Sequence, residues 1–236
     1  MALYLNLMGV QGAGKGVQAS FISQTYGIPH VSTGDLFRAM KTRDDALARR
    51  IQQIMAEGAL VSDDITNEVV RDRLEQPDAA PGAILDGYPR NEAQARWLDD
   101  YLASRGEALN AVLLLRLDLF TAFKRAFGRV LAADGRAYNI FYDDAAITWA
   151  FEDHPQGAYP PRLTAALKAG GEPLIRRPDD ANAAAIIKRI DTYLDQTAAL
   201  IRYYGGRGLL VEINADQPIA AVSGDIQAAV DRLRAR

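Results

Sequence analysis

The chain has no cysteine, which removes disulfides, thiolate zinc sites and thiol nucleophiles at once. It has only two histidines, and His154, beside a Glu-Asp pair, reads as a surface residue rather than a ligand, so no zinc is expected. Its longest apolar runs, such as AVLLL at 111–115, fall far short of the ~20 residues that a membrane-spanning helix needs. The opening MALYLNLMG lacks a basic leader and a cleavage-site pattern and reads as a first strand, not a signal peptide. With a net charge of −3 there is no basic excess to neutralise a nucleic-acid backbone, although a local basic pocket is compatible with that balance. Internal repeats and low-complexity tracts are also missing. These absences leave a soluble cytoplasmic protein as the expectation, with no membrane or nucleic-acid partner. Its 236 residues can form one domain with an insertion, or two small ones.

Short apolar runs alternate with longer helical patterns. Leu3–Met8, Ile28–Ser32, Ala83–Asp86, Ala111–Leu117 and Leu209–Ile213 predict strands. Leu47, Ile51, Ile54 and Met55 share one helical face, which stops at Gly58. Ser62 is placed to cap the next helix, with Asp63 and Asp64 in its positive first turn. Phe123, Phe127 and Val130 mark another helix. Ile186, Ile190, Tyr193, Leu194, Thr197, Ile201 and Tyr204 outline a long one, and Ile219, Val222, Ile226, Val230 and Leu233 the last. This alternation, with nearly continuous apolar strands, predicts an α/β fold whose parallel sheet is covered by helices on both faces. Residues 132–180 break the rhythm, and five of the ten prolines fall between Pro155 and Pro178. Tyr138, Tyr142, Trp149, Phe151 and Tyr159 suit a small packed subdomain there better than disorder.

The densest signal is GVQGAGKGVQAS, Gly9 to Ser20. Four glycines in eight residues are a poor opening for a helix, since each costs roughly 1 kcal/mol relative to alanine. Gly9, Gly14 and Lys15 instead fit G-x-x-x-x-G-K, the phosphate-binding loop between a strand and a helix. The glycines let consecutive N–H groups form a nest for anionic oxygens, the helix that follows adds its positive end, and Lys15 reaches the terminal phosphates. The hydroxyl residue expected after the lysine is absent. Gly16 and Val17 stand there, so no loop side chain ligates magnesium directly.

Other residues fit the same chemistry. Asp86 ends a strand at the carboxyl edge of the sheet, where ligands bind in parallel α/β folds; taken alone, a strand-end aspartate is equally a cap or turn former. Arg38, Arg90, Arg129, Arg177 and Arg189 come from five separate segments. Any one of them alone is an ordinary surface charge. Together they suit phosphoryl transfer, which depends on positioning and on neutralising spread negative charge, a task matched to arginine's planar fork.

In its order of motifs the chain resembles the adenylate kinases and their nucleoside monophosphate kinase relatives. GVQGAGKGVQA is similar to their phosphate loop, with Val17 in place of a threonine. VSTGDLFRAM (31–40), EGALVSDDITNEVVRDRL (57–74), LDGYPRNEAQA (85–95), KRAFGRV (124–130) and KRIDTYLDQTAALIRYY (188–204) carry the likeness onward. The resemblance implies a P-loop kinase core of five parallel strands over 1–131 and 181–236, a monophosphate-binding segment at 32–61 and a lid insertion at 132–180. It implies ATP contacts at Gly12, Ala13, Gly14, Lys15, Gly16, Val17, Arg125, Arg129 and Gln217. On the AMP side it implies Thr33, Arg38, Leu60, Val61, Gly87, Arg90, Gln94, Arg177 and Arg189. Thr33 and Gln94 would read adenine, Arg125 would stack on the ATP base, and Asp86 would organise the waters of Mg²⁺. Lys15, Asp86, Arg90, Arg129, Arg177 and Arg189 would be the catalytic set. Arg177 is preferred to Arg176 as the lid arginine, and the spacing from Asp180 to Arg189 exceeds the usual pattern by one residue. The lid start DGRAYN and end RRPDDA are familiar, and the stretch between them is longer than in relatives. The implied protein is a monomer that acts on ATP and AMP with Mg²⁺. Two other readings stand beside it: a kinase for UMP, CMP or GMP, and a non-catalytic nucleotide-binding module, which Val17 and the unusual lid would suit.

Overall fold

In the computed structural model, which describes residues 2–56, 61–142, 144–153, 161–176, 180 and 182–235, β1 (Leu3–Gly9) is buried at every position. A strand with no polar alternation belongs in the middle of a sheet covered on both faces, and β1 lies there. The sheet order is β2 (His30–Ser32), β3 (Gly82–Asp86), β1, β4 (Leu109–Arg116), β9 (Leu210–Asn214), with every pairing parallel. All five expected strands are present. β2 begins two residues later than the apolar run suggests. Pro29 has no N–H to give a ladder, and its carbonyl instead accepts from Ile84 N at 3.0 Å.

By its contacts the chain forms two compact units, residues 1–9, 14–116 and 195–236 in the first, and 10–13 with 117–194 in the second. The first holds the sheet together with α1 (Lys15–Tyr26), α2 (Thr33–Met40), α3 (Ala46–Ala56), α4 (Asp63–Leu74), α5 (Glu92–Ser104) and α8 (Ile219–Arg234). Its main core joins Tyr4, Leu85, Leu98, Val112, Leu114 and Tyr204, all buried. A smaller cluster of Met40, Ala48, Ile51, Ile65 and Val69 packs α2, α3 and α4, with Leu47, Ile54 and Val61 against it. Ser62 caps α4 as expected, accepting from Ile65 N at 3.5 Å. Gly58, the expected stop of α3, and the Met55 side chain lie outside what is described. Among the described residues no helix is long and apolar enough to cross a membrane.

The second unit starts with α6 (Leu119–Phe127), capped by the Asp118 carboxylate, which accepts from Thr121 N at 2.9 Å. Two antiparallel pairs follow: β5 (Arg129–Leu131) with β6 (Ala137–Asn139), and β7 (Ile147–Glu152) with β8 (Arg162–Leu167). Val130, Ala132, Ile140, Ile147, Leu163 and Leu174 form their shared core. Val130 therefore corrects the sequence reading that grouped it with Phe123 and Phe127 on one helix. The helix stops at Gly128, where a Cβ would come within 2.6 Å of Asn139 Oδ1 and 2.7 Å of the Phe141 ring. The β-branched Val130 then pairs with Tyr138. α7 (Ala183–Gly206) begins in this unit and runs into the first.

Candidate functional site

The carboxyl edge of the sheet collects the first group of side chains. Ser32 and Leu7 both lie opposite Asp86 in register, so the ends of β1, β2 and β3 bring Gly9, Thr33 and Asp86 to one edge. Beyond Gly9 the chain must turn sharply into α1. Gly14 is the helix N-cap with φ +86°, and a Cβ there would meet nothing within 4 Å, so it is the left-handed backbone and not space that requires glycine. Among the described residues no side chain caps α1, and its first turn has no acidic residue, a setting in which the opening N–H groups can serve an anion. Lys15 folds back and donates from Nζ to the Gly9 carbonyl at 2.8 Å. Gly16 has open space around it and Val17 is half-exposed. The neighbouring Gln18 is a structural residue. It is buried, donates to the Ile219 carbonyl at 3.3 Å and accepts from Ser223 Oγ at 2.9 Å, tying α1 to α8.

Asp86 faces His30, whose Nε2 lies 3.3 Å from Oδ2. The chain then turns at Gly87, φ +75°, where a Cβ would press on Thr33 Oγ1 at 3.1 Å. The Gly87 carbonyl is held from both sides: Thr33 Oγ1 donates at 2.9 Å and Arg90 Nε at 2.9 Å. Thr33 and Gln94 are both buried. Gln94 Oε1 accepts from Arg90 N at 2.8 Å, and its Nε2 donates to Asp63 Oδ1 at 2.6 Å, while Asn91 donates to the other Asp63 oxygen at 2.9 Å. Below them Tyr88 OH donates to Asn67 Oδ1 at 2.6 Å, and burial pushes the phenol well above its ordinary pKa. Arg38 pairs with Asp35 one helical turn back. Burial would raise the Asp35 pKa, but hydrogen bonds from Arg38 and Ser32 hold it below the usual value. Val61 lies half-buried against the small helical core, and Gln217 donates to Asp225 Oδ2 at 2.6 Å. Leu60 lies outside the described residues.

Within the second unit lie the middle of the loop, Val10 to Ala13, and a cationic cluster. Gly12 has φ +89°, and a Cβ there would sit 2.5 Å from the Ala122 carbonyl oxygen. Asp180 is fully buried. Arg129 grips its Oδ2 from Nε at 2.8 Å and from Nη2, Arg189 Nη1 approaches Oδ1 at 3.4 Å, and Gln11 Nε2 donates to Oδ1 at 2.9 Å. Arg176 Nη2 donates to the Asp180 and Phe127 carbonyls, each at 2.6 Å, with its guanidinium 4.7 Å from the centre of the Phe127 ring. Burial lowers the Arg176 pKa and Asp180 pulls it back; the group stays cationic. Two guanidiniums, Arg129 and Arg189, meet the Asp180 carboxylate, and a third, Arg176, meets its backbone carbonyl, so three cationic side chains gather at one residue, a setting that suits a polyanion. Arg125 lies over the Tyr142 ring at 5.7 Å. Arg177 and His154 fall outside the described residues. Asp180, Gln11 and Asp63 were not among the site residues read from the sequence, because nothing in a local pattern shows that a carboxylate will be buried among distant donors.

A parallel α/β sheet with a glycine-rich loop between β1 and α1, and a lysine opening that helix, defines the class of P-loop proteins. Comparison with known proteins narrows this. The model of one family, described as adenylate kinase, matches residues 7–209. The adenylate kinase of Moorella thermoacetica is 41% identical over 219 residues, covering 92% of this chain and 93% of that one. That of Symbiobacterium thermophilum is 38% identical over 229 residues, covering 97% and 98%, and that of Listeria monocytogenes 36% over 224, covering 94% and 96%. The chain belongs to the adenylate kinase family.

Proposed function

We propose that the protein is a phosphotransferase that moves the γ-phosphoryl group of ATP to AMP, reversibly, giving two ADP. The observation that carries this reading is the sheet edge itself, where Lys15 opens α1 behind the left-handed Gly14, Asp86 ends β3 and Thr33 follows directly on β2. A phosphate oxygen of AMP attacks the γ-phosphorus, the bond to the β–γ bridging oxygen breaks, and ADP leaves. No protein nucleophile is required, and the work of the chain is to hold both nucleotides and to offset spread negative charge. Gly12 to Val17 and Lys15 hold the ATP phosphates, Arg125 and Gln217 serve the ATP base, and Arg129, Arg189 and a lid arginine act on the transferring group. Arg38, Arg90, Leu60, Val61 and Gly87 serve the AMP side.

Thr33 and Gln94 select adenine. An amide has two N–H groups and two lone pairs. Gln94 spends one of each on Asp63 and Arg90, which fixes its rotation and leaves one donor and one acceptor for a base edge. Among the described residues no three His, Asp or Glu side chains gather as a metal cage. A divalent ion carried by the nucleotide would have its waters held by the half-buried Asp86 and would supply charge neutralisation at the phosphates. Residues 132–180 act as a lid that excludes water from the reacting phosphates. We place the protein in the cytoplasm as a monomer.

The test is a coupled assay for ADP with ATP, AMP and magnesium. Two ADP per ATP consumed is the expected result, and nucleotide binding without turnover would leave only a binding module.

A further inference from the structure

Gln11 stands in the turn of the phosphate loop, and its side chain reaches a buried charge. It is the closer of the two donors on Asp180 Oδ1, at 2.9 Å against 3.4 Å for Arg189 Nη1. The 3.4 Å contact is at the edge of hydrogen-bond distance, so Gln11 is the firmer restraint on that oxygen. Its own Oε1 is buried and has no hydrogen-bond partner among the described residues. The amide is thus turned to present its nitrogen to Asp180 at the expense of its oxygen. A neutral donor is the fitting group here. It fixes the rotation of the carboxylate without cancelling the charge of Arg129 and Arg189, whereas a lysine would draw the carboxylate away from them and a glutamate would repel it.

We propose that Gln11 is a positioning residue for phosphoryl transfer: its amide sets the Asp180 carboxylate, which in turn holds Arg129 and Arg189 in the orientation the anionic substrate meets. This rests on the functional reading above. The test uses the whole chain and measures kcat, the KM for AMP and the thermal midpoint of Gln11→Met, Asp180→Asn and the double variant. Methionine keeps the length of glutamine and removes the donor. We expect Gln11→Met to fold with a midpoint within a few degrees of the unmodified protein, to lower kcat about ten-fold and to leave the KM for AMP within about two-fold. In the Asp180→Asn background the same substitution should change kcat by less than about two-fold, because residues acting through one contact do not add. If Asp180→Asn does not fold, the cycle is run against Arg189→Lys, on the same carboxylate oxygen. Unchanged kcat in Gln11→Met, or losses that multiply independently, overturn the proposal while the functional reading stands. An unmodified chain that makes no ADP overturns both.

Discussion

Lys15 and Gln94 show how much a single side chain can decide. Among the described residues Lys15 donates to the Gly9 carbonyl, a contact within the loop and not with the core. Lys15→Met should therefore fold with a near-normal midpoint and lose turnover by a hundred-fold or more, about 3 kcal/mol of transition-state stabilisation. Steady-state kinetics beside a melting curve check this, and near-normal turnover removes the lysine from the chemistry. Gln94 carries two roles. Gln94→Ala strips Asp63 and the Arg90 amide of a partner each, so it should weaken AMP use by about 1–3 kcal/mol in kcat/KM and leave the KM for ATP almost unchanged. Equal losses for both nucleotides would mean a general loosening instead of a base-reading role. The Lys15 signal was legible because its glycines are local. That Gln94 is locked by Asp63 was not, since the two lie 31 positions apart and no periodicity links them.

The turn between β1 and α1 depends on glycines that are not equivalent. Gly14 needs glycine for its left-handed φ alone, while Gly12 adds a backbone clash, with 2.5 Å between a Cβ and the Ala122 oxygen of α6. Gly14→Ala should destabilise by about 1–2 kcal/mol. Gly12→Ala should cost more than ~2 kcal/mol, because an α6 backbone atom must move with it. Urea unfolding of the two variants gives the order, and equal costs would contradict the crowding at Gly12. The strands and the long helices were readable because they are buried along one clear period. The hairpins of residues 129–167 were not. β7 buries Ile147 but exposes Trp149 and Phe151 on the same face, so its alternation carries no solvent–core contrast. Val130 was misplaced for a related reason: three residues after Phe127 is also a helical spacing, and only the crowding at Gly128 shows that the helix has already ended.

At the scale of the whole molecule the account requires a chain that works with magnesium-bound nucleotide and no structural metal. With magnesium kept saturating, a zinc-selective chelator should leave both the thermal midpoint and the activity unchanged, since a structural zinc ion contributes directly to folding wherever one exists. A drop in the midpoint would point to ligands outside the described residues. The fold class was legible from alternating strands and helices, and the phosphate loop from seven consecutive residues, Gly9 to Lys15. Arg129 and Arg189 were grouped from the sequence, but Asp180 as their shared partner emerged only from the folded chain, because the side chains that meet it come from residues 11, 129, 176 and 189. The central claim, that AMP accepts the phosphoryl group, is tested most directly by kcat/KM for AMP, CMP and UMP at fixed magnesium-ATP. The account predicts that AMP exceeds both pyrimidine nucleotides by at least about ten-fold, the cost of leaving one half of a buried polar match unpaired. Equal or greater use of CMP by the unmodified protein would contradict it.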